Sequence, residues 1–292
     1  MKKFTFCLVV CLITVSTYAQ DKPAYLIYSG NGEKSGYAEM IKKMAEADVV
    51  FFGEQHNCPI AHWLELSVTT DLYAVHKADF MLGAEMFETD NQLILTEYVQ
   101  SLINQKRFED EAKLWNNYKT DYKALVEFAR TNKVPFVATN VPRRYASIVA
   151  SKGFDGLDSL SKEAKKLMPR LPIEFDITLP GYAAMLKMGG MPGKKGGPDE
   201  QNFPKAQALK DATMAWSIAE SMNKRTKFLH FNGAYHSNGY EGIIWYLKKE
   251  KSSVRVATIA TVNQKDISSL SDENKGIADF IIVVPEDMTK TY

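Results

Sequence analysis

The chain has 292 residues, 45% of them hydrophobic, 24% charged and 11% aromatic, which suits one large globular domain or two small ones. That composition excludes a disordered tail, a collagen-like repeat and a disulfide-stapled miniprotein. The formal charge of +1 provides no global excess of basic residues for nucleic acid or anionic lipid, so function must come from particular sites.

In chain order, the first element is a targeting segment. Lys2 and Lys3 precede an apolar run over residues 4–15, which ends in Ser16, Thr17, Tyr18 and Ala19. Basic, then apolar, then small is the order of a secretory signal peptide, with cleavage expected after Ala19. Removing residues 1–19 leaves a net charge of −1 and a single cysteine, Cys58, so no internal disulfide is expected. A lipid-acceptor reading at Cys11 suffers from a short apolar run and from Val10 where a small residue belongs. The expected location is therefore outside the cytoplasm, periplasmic or associated with the cell envelope.

Short apolar runs at residues 49–53, 80–85, 134–139, 227–231, 254–260 and 280–284 alternate with helical periods at 59–76, 91–104, 121–132, 206–223 and 239–249. Continuous apolar strands between helices predict an α/β domain whose mainly parallel central sheet is flanked by helices on both faces. Pro59 suits a first helical position, with Asn57 or Cys58 as cap. Residues 104–120 extend the helical layer. Residues 152–205 are long for a connection and predict a smaller, mostly helical lid with a Gly/Lys tip, inserted in one domain over residues 20–292.

Polar residues follow four of the predicted strands: Glu54, Gln55, His56 and Asn57 after the first; Glu85, Glu88 and Asp90 after the second; Asn140, Arg143 and Arg144 after the third; Asn232, Gly233, His236 and Asn238 after the fourth. A parallel sheet brings these carboxyl ends to one edge, where ligands bind. Glu54, His56, Glu85 and His236 are then either ligands for a divalent metal such as zinc or manganese, or a histidine general base with carboxylate partners. The structural alternative makes the two glutamates helix caps and the two histidines partners of backbone groups. His62, six residues after His56, can reach the same edge, while His76 and His230 read as structural. Cys58 at a helix start reads as a packed thiol. Arg143 and Arg144 stand where carboxylates or phosphates are paired. In the lid, Tyr182, Met185, Met188 and Met191 recur every three residues, forming either an internal face or a contact for a large flat apolar ligand.

Four short motifs carry a resemblance: Gly53-Glu54-Gln55-His56, Gly83-Ala84-Glu85-Met86-Phe87, the run from Ala138 to Arg144, and Asn232-Gly233-Ala234-Tyr235-His236. With the stretch from Ala206 to Ala215, they resemble the ChaN-like proteins of the haem-binding-uptake and Tiki superfamily over roughly residues 45–262. The resemblance implies an exported bacterial haem-binding protein of haem or iron acquisition. It also implies an α/β core, subunits paired around cofacial haems or a related porphyrin, tyrosine ligation, and delivery involving outer-membrane uptake machinery. On that reading Tyr182 ligates iron, Met185 and Met188 cover the macrocycle, and Arg143, Lys194 or Lys195 meets the propionates. In the Tiki branch, the two Gly-x-x-His motifs with Glu85 resemble a metal-dependent protease centre. This keeps a metal-dependent hydrolase, peptidase- or esterase-like, as the alternative. No nucleic-acid partner is implied.

Overall fold

The computed structural model describes residues 22–188 and 200–292. The expected signal peptide, Cys11, Met191, Lys194 and Lys195 lie outside the described residues, as does the side chain of Met188.

Eight strands form one sheet: β1 (Leu26–Ser29), β2 (Lys34–Ser35), β3 (Val49–Glu54), β4 (Phe80–Glu88), β5 (Phe136–Asn140), β6 (Lys227–Gly233), β7 (Val256–Gln264) and β8 (Phe280–Pro285). Their order is β2-β1-β8-β7-β3-β6-β4-β5. The six longer strands run parallel, and the β1–β2 hairpin adds antiparallel at the β8 edge. The helices are α1 (Tyr37–Glu46), α2 (Pro59–His76), α3 (Gln92–Val99), α4 (Gln105–Glu111), α5 (Lys123–Asn132), α6 (Arg143–Lys152), α7 (Lys162–Lys165), α8 (Pro180–Met188), α9 (Asn202–Ser221) and α10 (Ile243–Glu250).

The parallel strands are continuously apolar because they are covered on both faces. Every residue of β3 is buried, and successive side chains alternate between two cores. Val50 and Phe52 pack with residues of α1–α5, while Val49 and Phe51 pack with α6, α8, α9 and α10. That alternation sends Glu54, two residues beyond Phe52, toward the α2 layer. The polar layer after β6 instead faces α9.

Helix α2 begins at Pro59 as expected, but its cap residue, Cys58, makes no side-chain cap bond. Residues 104–120 extend the helical layer as α4 and the start of a π-helical turn, Tyr118–Tyr122. The described part of the lid is less helical than expected: a 3₁₀ turn at Phe154–Leu157, the single turn α7, and α8 joined by irregular chain.

Candidate functional site

The carboxyl ends of β3, β4 and β6 meet at one edge and bring Glu54, His56, Glu85 and His236 together. The pairing of β4 with β5 slips between Ala84 and Glu88, and that bulge breaks the strict alternation of side chains around Glu85. Glu85 Oε2 accepts the Gly233 N–H at 2.8 Å, and its Oε1 lies 3.3 Å from His236 Nε2. Gly233 allows this closeness: a Cβ there would stand 2.7 Å from His56 Nε2.

The two histidines have different settings. His56 donates Nδ1–H to Glu54 Oε1 at 2.6 Å, its ring lies 5.1 Å from that of Trp115, and its side chain is 37% exposed. Burial opposes its charging, but the Glu54 hydrogen bond and the charge of Glu85 outweigh this and raise its pKa. His236 is buried between two acids and donates Nδ1–H to Asp211 Oδ1 at 2.5 Å. Desolvation would lower its pKa, yet the charges of Glu85 and Asp211 prevail and push it up to about 10. This setting favours the imidazolium form of His236, with Nδ1–H on Asp211 and Nε2 facing Glu85. Glu85, buried but facing that cation, is held well below the usual carboxylate range. Glu54 resists the upward pull of burial through its contacts with His56 and His62 and sits at about 2. Neither glutamate caps a helix.

Both helical layers supply partners to these edge residues. On one side, Asp211 in the middle of α9 accepts the Tyr182 hydroxyl at 2.6 Å as well as His236. On the other, Tyr122 donates its hydroxyl to Glu54 Oε1 at 2.8 Å. His62 Nε2 lies 2.8 Å from Glu54 Oε2, and Glu65, one turn along α2, is wholly buried. Burial and the negative charge of Glu54 raise the Glu65 pKa well above the carboxylate range.

Several expectations change here. Tyr182 is 3% exposed with its hydroxyl committed to Asp211, and burial raises its pKa far above that of a free phenol. Met185 packs into the core against α9 and its neighbours. The three-residue spacing thus marks an inward face of α8, and Tyr182 offers no open face to a ligand. Arg143 is exposed and forms no ion pair among the described residues, whereas Arg144 is tied to Asp90 at 2.5 Å. The four edge residues come together, with His236 Nδ1 bonded to Asp211 and Nε2 facing Glu85. His230 is structural: it is buried against Thr139, and desolvation depresses its pKa to about 4. Cys58 is a buried free thiol.

Beside His56 opens a cleft of about 580 Å³ lined by Trp115, Leu114, Lys113, Arg143, Glu88 and Tyr292. Lys113 is paired with Glu88 at 2.5 Å, leaving Arg143 as the cleft's unpaired cation among the described residues. Tyr235, adjacent in sequence to His236, is 72% exposed at the same sheet edge.

Sequence reading missed Asp211, Glu65 and Tyr122. Asp211 and Glu65 had a signal: each is the lone acid among the buried residues of its helix. Tyr122 had none, because its approach to Glu54 depends on the π-turn.

The chain is thus a three-layered α/β domain with a histidine–carboxylate cluster at the carboxyl edge of its sheet. Residues 40–247 match the family described as "Haem-binding uptake, Tiki superfamily, ChaN", and the chain belongs to that family. Among solved structures, ChaN of Campylobacter jejuni, described with cofacial haem binding, aligns over 89% of this chain and 96% of its own. It shares 17% identity at a TM-score of 0.67 and so shares the fold. The type III effector HopBA1 aligns at 12% identity and a TM-score of 0.48, over 85% of this chain and 92% of its own. An erythromycin esterase, EreC, aligns at 11% identity and a TM-score of 0.44, over 89% of this chain and 83% of its own. Among curated proteins, none matches the sequence.

Proposed function

We propose that this protein binds haem at the carboxyl edge of its sheet and serves haem or iron acquisition outside the cytoplasm. Haem needs an apolar wall, a cation for its propionates and an axial donor. The cleft supplies the wall in Trp115, Leu114 and Tyr292, and the cation in Arg143. For the donor, His56 is the fitting residue. Its Nδ1–H is fixed by Glu54, and a carboxylate on that nitrogen is what orients a ligating imidazole to bind through Nε2. No hydrogen bond engages Nε2 among the described residues. This half-exposed, carboxylate-oriented imidazole beside an aromatic cleft with an unpaired arginine is the observation that carries the reading. Tyr235 is the exposed phenol of the same edge and the second donor to test.

The experiment is a ferric haem titration of the protein lacking residues 1–19, followed by its visible spectrum. A saturable Soret band is expected, weakened in Arg143→Glu and altered in His56→Ala or Tyr235→Phe. A spectrum that never saturates overturns the reading. An unaltered band in both donor variants removes them as ligands.

One observation favours a second reading, a hydrolase. Glu54 orients His56 as a proton acceptor while Asp211 and Glu85 hold His236 as a cation, a pairing suited to acid–base work on an ester or amide. Turnover of model esters or peptides abolished in His56→Ala is the test.

A further inference from the structure

Behind the exposed edge lies a group of side chains that neither reading uses. Glu54 leaves β3 toward α2, where His62 and Glu65, three residues apart, occupy one helix face. Glu54, His62 and Glu65 are 1%, 6% and 0% exposed. One ligand atom from each lies within 4.8 Å of the other two. Both oxygens of Glu65, Oε2 of Glu54 and both nitrogens of His62 are buried without a hydrogen-bond partner. The 2.8 Å approach of His62 Nε2 to Glu54 Oε2 lacks hydrogen-bond alignment. Two carboxyl groups buried side by side, with the oxygens of one unpartnered, are costly unless a proton or a cation is shared between them.

We propose that Glu54, His62 and Glu65 form a buried site for one divalent first-row transition cation. Two carboxylates and a neutral imidazole balance its charge. An O, O, N donor set suits zinc, manganese or ferrous iron and leaves a coordination position open. The remaining atoms of the ligands are oriented as such a site requires. Glu54 Oε1 is taken by Tyr122 and His56, which leaves Oε2 for the cation. Asp121 Oδ1 stands 3.3 Å from His62 Nδ1, close enough for a small ring rotation to complete the carboxylate–histidine pairing that orients a metal-bound imidazole. The site is separate from the edge set of His56, Glu85 and His236. It touches the edge only through Glu54, and its occupancy would set the charge on the carboxylate that orients His56.

The test strips the protein lacking residues 1–19 with a chelator, then returns Zn²⁺ or Mn²⁺ alone and measures bound metal and Tm. One equivalent with a raised Tm is expected in the wild type and in His236→Gln. In Glu65→Gln, affinity should fall more than about 100-fold and the Tm response should vanish, with the circular dichroism spectrum unchanged. If that variant does not fold, X-ray absorption of the metal-loaded wild type decides. One imidazole among oxygen donors supports the site, and two or more overturn it. No metal uptake by the wild type, or uptake that survives Glu65→Gln, also overturns it and leaves Glu54 and Glu65 as a carboxyl–carboxylate pair sharing a proton. Uptake lost in His236→Gln assigns the cation to the edge set instead.

Discussion

Replacing Asp211 by Asn tests whether His236 is kept cationic by two carboxylates. The ring sits 2.5 Å from Asp211 Oδ1 and 3.3 Å from Glu85 Oε1, and its pKa is pushed up to about 10 from an ordinary 6.5. The amide keeps an acceptor for the ring but removes one of the two negative charges. Leaving a buried cation short of a charged partner costs about 3 kcal/mol, the lower end for breaking a buried pair, because the hydrogen-bond acceptor survives. For a domain of this size each kcal/mol moves Tm by roughly 2–4 °C, so at about pH 6 Tm should fall by roughly 6–12 °C. The dependence on pH has a definite sign. A histidine whose folded pKa is raised contributes stability that is complete below its unfolded value of 6.5 and is lost as pH rises through about 10. The gap between wild type and variant is therefore widest in mild acid and narrows as pH approaches 10. Calorimetry across that range, with a side-chain nitrogen NMR titration of His236, checks both points. A wild-type ring titrating near 6.5, or a gap that does not narrow, refutes the two-carboxylate argument.

Tyr182→Phe should leave the haem spectrum unchanged while costing about 2 kcal/mol, the value of a buried hydrogen bond to a charged group; a shifted Soret band would return Tyr182 to the ligand set. Gly233→Ala places a methyl 2.7 Å from His56 Nε2, so it should displace that ring and weaken haem binding by about tenfold or more. Unchanged haem affinity in that variant counts against His56 as donor. His230 is buried neutral with its pKa depressed to about 4, so its contribution is present above 6.5 and is lost as pH falls toward 4. His230→Gln should therefore flatten the acid side of the Tm profile, and an unchanged acid slope would refute that assignment.

How far the sequence was legible depended on whether local chemistry or distant packing decided each feature. Helix α2 was readable to both ends because Pro59 opens it and an apolar period sustains it. The six parallel strands were readable because burial on both faces demands unbroken Val, Ile and Phe. Strands β1 and β2 were not, since four and two residues at a sheet edge carry too little pattern. The edge cluster was legible because a parallel sheet collects whatever follows its strands. Spacing identified the Tyr182 face of α8 but not its direction, which is set by the packing of α8 on α9. Asp211 and Glu65 acquire meaning only when helix faces are laid against strand ends.

The strand order has a consequence for how the molecule is made. Strand β3 pairs on one side with β6, Val49 opposite Phe228, and on the other with β7, Val49 opposite Val256. The strand carrying Glu54 thus waits for partners synthesised nearly two hundred residues later. Such long-range parallel pairings close slowly, because the loop entropy is lost before any contact offsets it. Until β6 arrives, the apolar flanks of β3 lie open to misassociation, and a holding chaperone has a defined target there. No amino-terminal fragment ending before Gly233 contains the whole edge, and a chain ending just before β6 keeps α1–α9 but lacks Gly233 and His236.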